Sequence, residues 1–343
     1  MKVIHGGDIY RNSVQMDFSV NMNPLGVPKT VQDALHQSVD VVDTYPDIHA
    51  TKLRQVLSAK LGVQEEEILF GNGASELFLA IVHGIKPKKI VIPIPSFYGY
   101  FHAAEAVDAD VICCGQTKEE LWETLMKEVD MLFLANPNNP TGKTRTEDEM
   151  REILTYCKER EIVVVLDECF VEFCEETLSM LEELDRYPNL ILVRAFTKFY
   201  SIPGVRLGYF LCSHRNLRQK IQRQLPEWNL SVFAQKAGIA CVKEQKFVEE
   251  TAKFVKQERE YLMEGLEKLG IRTFPSQANF LMFYSEYPWY DWLLEHEILI
   301  RDCQNFKGLE PGYYRIAVKC REENERLLQV MGEILWKEKS SNS

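Results

Sequence analysis

The chain has no C-x-x-C pair and no cysteine–histidine cluster at zinc spacing, and its nine cysteines, at 113, 114, 157, 169, 174, 212, 241, 303 and 320, are odd in number. Metal and dithiol frameworks are excluded, and reduced, buried thiols are the reading that remains. Long apolar runs are missing too. No window approaches the roughly 20 residues needed to span a bilayer, and the opening MKVIHGGDIYRNS lacks the apolar core of a secretory leader. A cytoplasmic protein without membrane contact is expected. Basic residues are outnumbered, 40 Lys plus Arg against 51 Asp plus Glu, for a net charge of −11. A nucleic-acid partner is therefore not expected. An anionic ligand would have to be held by a few placed cations and backbone N–H groups.

What is present is 343 residues of ordinary globular composition, 45% hydrophobic and 27% charged, about two domains in length. Short apolar runs bounded by turn residues occur at 88–95, 110–115, 131–136, 162–168, 190–196 and 208–212. They fit strands buried on both faces. Amphipathic helix candidates such as 51–62, 74–84 and 147–160 lie between them. This β/α alternation predicts an α/β fold with a mainly parallel central sheet covered by helices. After residue 240 the pattern changes to a long charged helix (246–270), strands at 279–284, 298–303 and 313–318, and a last helix over 321–336. A large α/β domain over 28–240 is expected, with an N-terminal arm (1–27) and a smaller α+β domain (241–343). Lys337 to Ser343 read as a frayed polar tail.

Four segments carry chemistry. In RAFTKFYSIPGVRLGY (194–209), Lys198 follows an apolar strand, at the edge where open α/β sheets bind ligands, eight residues before Arg206. Partial burial and a neighbouring arginine would depress its pKa, as an imine-forming amine requires. Taken alone, it also reads as a solvated loop lysine. In VVVLDECFVEF (163–173), Asp167 follows four apolar residues, a costly place for an acid unless it meets a cation or a protonated nitrogen; a cap is the plainer alternative. LANPNNPTGK (134–143) presents Asn139 and Thr141 after another strand, and also reads as a simple turn. GNGASELF (71–78) leads a glycine turn into a helix with Ser75 in its first turn, a natural phosphate site or merely a tight connection.

In this order and spacing, the segments resemble the fold-type I pyridoxal-phosphate enzymes, the aspartate-aminotransferase-like superfamily, over essentially the whole chain. The signature is N-P-x-N-P-T-G, the strand-end aspartate and [ST]-K-x6–7-R-x-G-Y. The resemblance implies pyridoxal 5'-phosphate as cofactor, with Lys198 forming the aldimine and moving the proton at Cα. It implies that Asp167 pairs with the pyridine N–H and Asn139 with the ring's 3′ oxygen. Gly73, Ala74, Ser75, Thr197 and Arg206 would hold the phosphate, and Phe97 of PSFYGYF would stack on the ring. Tyr45 would reach the phosphate of the neighbouring subunit in a homodimer. One departure is Phe170, where many relatives have a tyrosine contacting the 3′ oxygen.

The C-terminal part narrows the substrate. Arg315 in YYRIAV matches the family's grip on the substrate carboxylate, and Arg301 in ILIRDC matches the residue that phosphorylated substrates use; either also reads as a surface strand arginine. With YPD near residue 45, the pattern resembles the branch holding the histidinol-phosphate aminotransferases and the L-threonine O-3-phosphate decarboxylases. H-G-G (5–7), DFSVNMNPLGVP (17–28) and the lysine segment look more like the decarboxylases. The resemblance implies a small phosphorylated amino-acid or amino-alcohol substrate met by Arg301, Arg315, Asn279, His5 and Asn23, and no metal. Decarboxylation of L-threonine O-3-phosphate to (R)-1-amino-2-propanol phosphate, a step of cobalamin biosynthesis, is the favoured expectation. Amino transfer to 2-oxoglutarate is the alternative, and a non-catalytic regulator or binding protein on the same fold is the second.

Overall fold

Six of the apolar runs pair with one further strand into a single seven-stranded sheet. The strands are Ile68–Gly71 (β1), Lys89–Pro93 (β2), Asp110–Cys114 (β3), Met131–Ala135 (β4), Val163–Asp167 (β5), Leu190–Ala195 (β6) and Gly208–Leu211 (β7). Their order is β1-β7-β6-β5-β4-β2-β3. All neighbours are parallel except β7, which runs antiparallel to both β1 and β6. The computed structural model describes residues 5–174 and 178–341. The first four residues of the segment read as lacking a leader, and the last two of the predicted tail, lie outside that range.

Strands β4, β5 and β6 are buried along their whole length because helices cover both faces of the sheet. Two apolar clusters fill the two sides, one containing Val164, Leu166 and Leu192, the other Val165, Ile191 and Val193. This is the alternation of side chains along each strand expressed as two cores. With the strands parallel, their C-terminal ends gather at one edge, and Ala135, Asp167 and Ala195 are the last residues of β4, β5 and β6.

A second sheet of four antiparallel strands, in the order β10-β11-β9-β8, is built from Arg272–Thr273 (β8), Phe280–Tyr284 (β9), Arg301–Asp302 (β10) and Tyr313–Ala317 (β11). It packs with the helix Arg321–Ser341 around its own core of Leu281, Trp289, Ile316 and Leu327. The long helix Gln245–Lys268 serves both parts: Val255 belongs to a core of the large sheet, Leu262 and Leu266 to the small one. The N-terminal arm joins the small part. Met16–Asp17 pairs in parallel with Ile298–Leu299, and Phe18 is fully buried in the small core. The predicted tail is corrected here: Lys337 to Ser341 continue the last helix. All nine cysteines are free thiols, and no helix among the described residues is long and apolar enough to cross a membrane.

Candidate active site

At the C-terminal edge of the large sheet lies a cavity of about 510 Å³ that is also walled by the small part and the arm. That size suits a cofactor with a small substrate. Asp167, the last residue of β5, lines it and is buried. Its Oδ2 accepts the Tyr100 phenol at 2.5 Å and its Oδ1 the Cys169 backbone N–H at 2.9 Å. Burial pushes the carboxyl up, while hydrogen bonds from Cys169 and Tyr100 pull it down.

Lys198 sits in the short helix Phe196–Phe199 that follows β6 and lines the same cavity. Its carbonyl accepts from the Asn23 backbone N–H at 3.1 Å. Burial, then the positive charges of Arg315 and Arg206, hold its ammonium down at about 8. An amine so placed is available as a nucleophile near neutral pH. Asn139 reaches the cavity from the loop after β4. Asn138 Oδ1 braces that loop by accepting the Thr141 hydroxyl at 2.9 Å, and Asn136 Oδ1 by accepting the Arg145 backbone N–H at 2.9 Å.

The helix Ala74–Ile85 opens at the cavity with no side-chain cap, so its first-turn N–H groups stay available, and Ala74 and Ser75 line the wall. Gly73, at φ +80°, precedes it, and a Cβ there would collide with the Arg206 guanidinium. Only glycine lets Arg206 lie across the turn. Thr197 lines the same wall, and Phe97 lines the cavity half-buried. A helix N-terminus with a guanidinium, a depressed lysine, a buried strand-end carboxylate and an aromatic face are the groups that pyridoxal phosphate requires. The residues fit that cofactor.

Across the cavity stand two buried arginines. Arg315 donates from Nη1 to Asn139 Oδ1 and from Nη2 to the Ser19 carbonyl at 2.8 Å, while its Nε has no partner among the described residues. Burial and the nearby Arg301 charge lower its pKa to about 10, against the opposing influence of the Cys303 thiol. Arg301 donates to the Asp302 carbonyl at 2.8 Å and to Asn305 Oδ1 at 2.7 Å. His5 joins this wall from the arm, with Phe97 and Tyr98 at 5.9 and 6.0 Å between ring centroids. Burial and the positive charges of Arg301, Lys198 and Arg315 lower its pKa. The arm is seated closely: the Gly7 N–H donates to Ser19 Oγ at 2.7 Å, and a Cβ on Gly6 would strike the Ser19 carbonyl.

Two residues expected at the substrate, Asn23 and Asn279, do not line the cavity. Asn23 spends its amide on the Phe199 carbonyl at 2.7 Å and Thr251 Oγ1 at 3.0 Å, and its Oδ1 on the Leu25 N–H at 2.9 Å. That is the turn chemistry of an asparagine before proline. Asn279 is fully buried and holds the Asn21 and Met22 carbonyls at 3.1 and 3.2 Å. Both frame the site without lining it. Tyr45, which the resemblance assigns to the neighbouring subunit's site, is 81% exposed, with its ring 5.3 Å from that of Trp228, and lies outside the cavity of its own chain. Sequence reasoning missed Tyr100 and Asn21, which both line the cavity, Asn21 with a buried Oδ1 that has no partner among the described residues. The aromatic spacing of Phe97 and Tyr100 was the available signal for the first; nothing in SVNMNP distinguished the second.

The class I and II aminotransferase family model matches residues 13–331. The chain is 32% identical to a threonine-phosphate decarboxylase of Salmonella typhimurium, over 96% of each chain. It is 32% identical to a histidinol-phosphate aminotransferase of Symbiobacterium thermophilum, over 91% of this chain and 88% of that one. The crystal structure of the histidinol-phosphate aminotransferase from Clostridium acetobutylicum superposes with a TM-score of 0.88 at 31% identity, covering 94% of this chain and 99% of that one.

Proposed function

The chain belongs to the class I and II aminotransferase family, whose cofactor is pyridoxal 5'-phosphate, and from that premise we propose that it decarboxylates L-threonine O-3-phosphate to (R)-1-amino-2-propanol phosphate. The observation that carries the reading is the pairing of Arg301 directly opposite Arg315 across β10 and β11, both buried and both lining the cavity. Like charges set side by side out of water need anions between them. A substrate carrying a carboxylate and a phosphate supplies two.

Bound in the cavity, the cofactor supplies an electron sink for the pair of electrons left when a bond at Cα breaks. Asp167 holds the ring nitrogen in its protonated form. The first turn of Ala74–Ile85, with Ser75, Thr197 and Arg206, would hold the phosphate, and Phe97 would provide the aromatic face for the ring. Lys198 would hold the cofactor through its amine and would move the proton at Cα. Arg315 takes the carboxylate and Arg301 the phosphate, which orients the bond to the carboxylate for cleavage.

The arm supports the decarboxylase. His5 and Gly6 line the cavity beside Arg301, and the two-glycine turn is what brings them there. Equal identity to histidinol-phosphate aminotransferases supports a second reading, amino transfer from a phosphorylated amino alcohol to 2-oxoglutarate. The enzyme is further proposed to be a cytoplasmic homodimer in which Tyr45 completes the neighbouring site; the exposure of Val39, Val42, Tyr45 and Trp228 supports this.

Incubation of the holoprotein with threonine phosphate, and separately with histidinol phosphate plus 2-oxoglutarate, tests the reading. Aminopropanol phosphate from the first supports it, and glutamate from the second alone defeats it. Lys198→Ala should abolish turnover and the visible absorption of the lysine-bound cofactor; a variant with full activity refutes the assignment of Lys198.

A further inference from the structure

The phenol of Tyr100 is fastened to the floor of the cavity from both ends. Tyr100 lies in the helix Tyr98–Glu105, three residues beyond Phe97, and its ring is 1% exposed. It stacks on Phe133 at 5.0 Å and 10°, and meets Phe78 and Phe97 edge-on at 5.1 and 5.7 Å. Held by three rings, it has little freedom to turn. Its hydroxyl stands 2.5 Å from Asp167 Oδ2, and the Cys169 backbone N–H stands 2.9 Å from Oδ1. The phenol thus anchors one carboxylate oxygen and the Cys169 backbone the other, the Cys169 thiol adds a further bond, and the carboxylate still lines the cavity.

We propose that Tyr100 is a positioning residue, fixing the Asp167 carboxylate in the orientation that meets the ring nitrogen of the cofactor. The inference rests on the cavity being a pyridoxal-phosphate site and not on which substrate is turned over. A carboxylate free to rotate would present its charge to the ring nitrogen only part of the time. The phenol is suited to the task because burial, reinforced by the Asp167 charge, holds its pKa well above the ordinary value, so it remains a donor. Its hydrogen bond also opposes the upward push of burial on Asp167, after the contribution of Cys169.

The test titrates the full-length protein, stripped of cofactor, with pyridoxal phosphate and with its 1-deaza analogue, in which C–H replaces the ring nitrogen. Binding is followed by tryptophan fluorescence and visible absorption. Tyr100→Phe, which keeps the ring and removes the donor, should weaken the natural cofactor roughly tenfold and leave the analogue unchanged. Made in an Asp167→Asn background, the same change should add nothing. Equal loss for both ligands, or none for the natural cofactor, overturns the proposal. Failure of the unaltered protein to bind pyridoxal phosphate overturns the reading of the site, and the proposal with it.

Discussion

Arg301 and Arg315 are direct cross-strand partners, one on β10 and one on β11, and both are buried at the same cavity wall. A chain of net charge −11 therefore gathers two guanidinium groups where water cannot screen them. Among the described residues, Arg315 donates from Nη1 to Asn139 and from Nη2 to Ser19 and leaves Nε unpaired. The pair is costly without a ligand and selective with one.

Dividing the two ends of the substrate between these arginines gives different kinetic signatures. Arg301→Ala should raise KM for threonine phosphate by about tenfold or more while leaving cofactor affinity and the KM of unphosphorylated amino acids unchanged. Steady-state kinetics on matched phosphorylated and unphosphorylated substrates check this. An equal loss on both removes Arg301 from the phosphate.

Arg315→Lys keeps the charge and loses the planar fork. Turnover of substrates bearing a carboxylate should fall by about tenfold or more, whereas binding of histidinol phosphate, which has no carboxylate, should change far less. Measured dissociation constants for the two ligands decide it, and parallel losses contradict the assignment.

Gly73→Ala should cost about 1–3 kcal/mol of stability, because φ is +80° and the new Cβ meets the Arg206 guanidinium. Displacing that guanidinium should also weaken cofactor binding roughly tenfold. Thermal unfolding of the cofactor-free chain and a cofactor titration separate the two effects. A variant that binds normally places Arg206 outside the phosphate site.

Lys198 gives a pH prediction. Burial, then Arg315 and Arg206, hold its ammonium at about 8, below the ordinary 10.5. Between those values the folded cofactor-free chain binds fewer protons at this site than the unfolded chain. Its contribution to stability therefore rises with pH across that window and is flat on either side. Lys198→Met should remove the rise, and Arg315→Met should narrow the window by moving its lower edge up. Denaturant titrations across the window check both, and an unchanged slope in Lys198→Met contradicts the placement.

The residues that the sequence made legible are those whose chemistry is tied to a strand end. Asp167 and Lys198 stand at or just beyond the ends of β5 and β6, where apolar runs announce the strand and a charge announces its edge. β1, Ile68–Gly71, was not singled out because four residues running into a glycine turn carry no period. The helix Val232–Val242 was equally hidden, since Ala, Gly and Cys let it pack on several sides without a polar stripe. Asn23, expected at the substrate, precedes Pro24, the dipeptide that marks the turn its Oδ1 makes with the Leu25 N–H. Asn23 spends its side chain on Phe199, Thr251 and Leu25, whereas Asn21, two residues earlier, lines the cavity.

In the proposed reaction the bond broken is the one between Cα and the carboxylate. Threonine phosphate labelled in its carboxyl carbon, given to the holoenzyme without any 2-oxo acid, tests this most directly. Labelled carbon dioxide, with one aminopropanol phosphate for each label released over many turnovers, is the expected result. Label retained in the organic product, with turnover appearing only when 2-oxoglutarate is added and glutamate then forming, would contradict it.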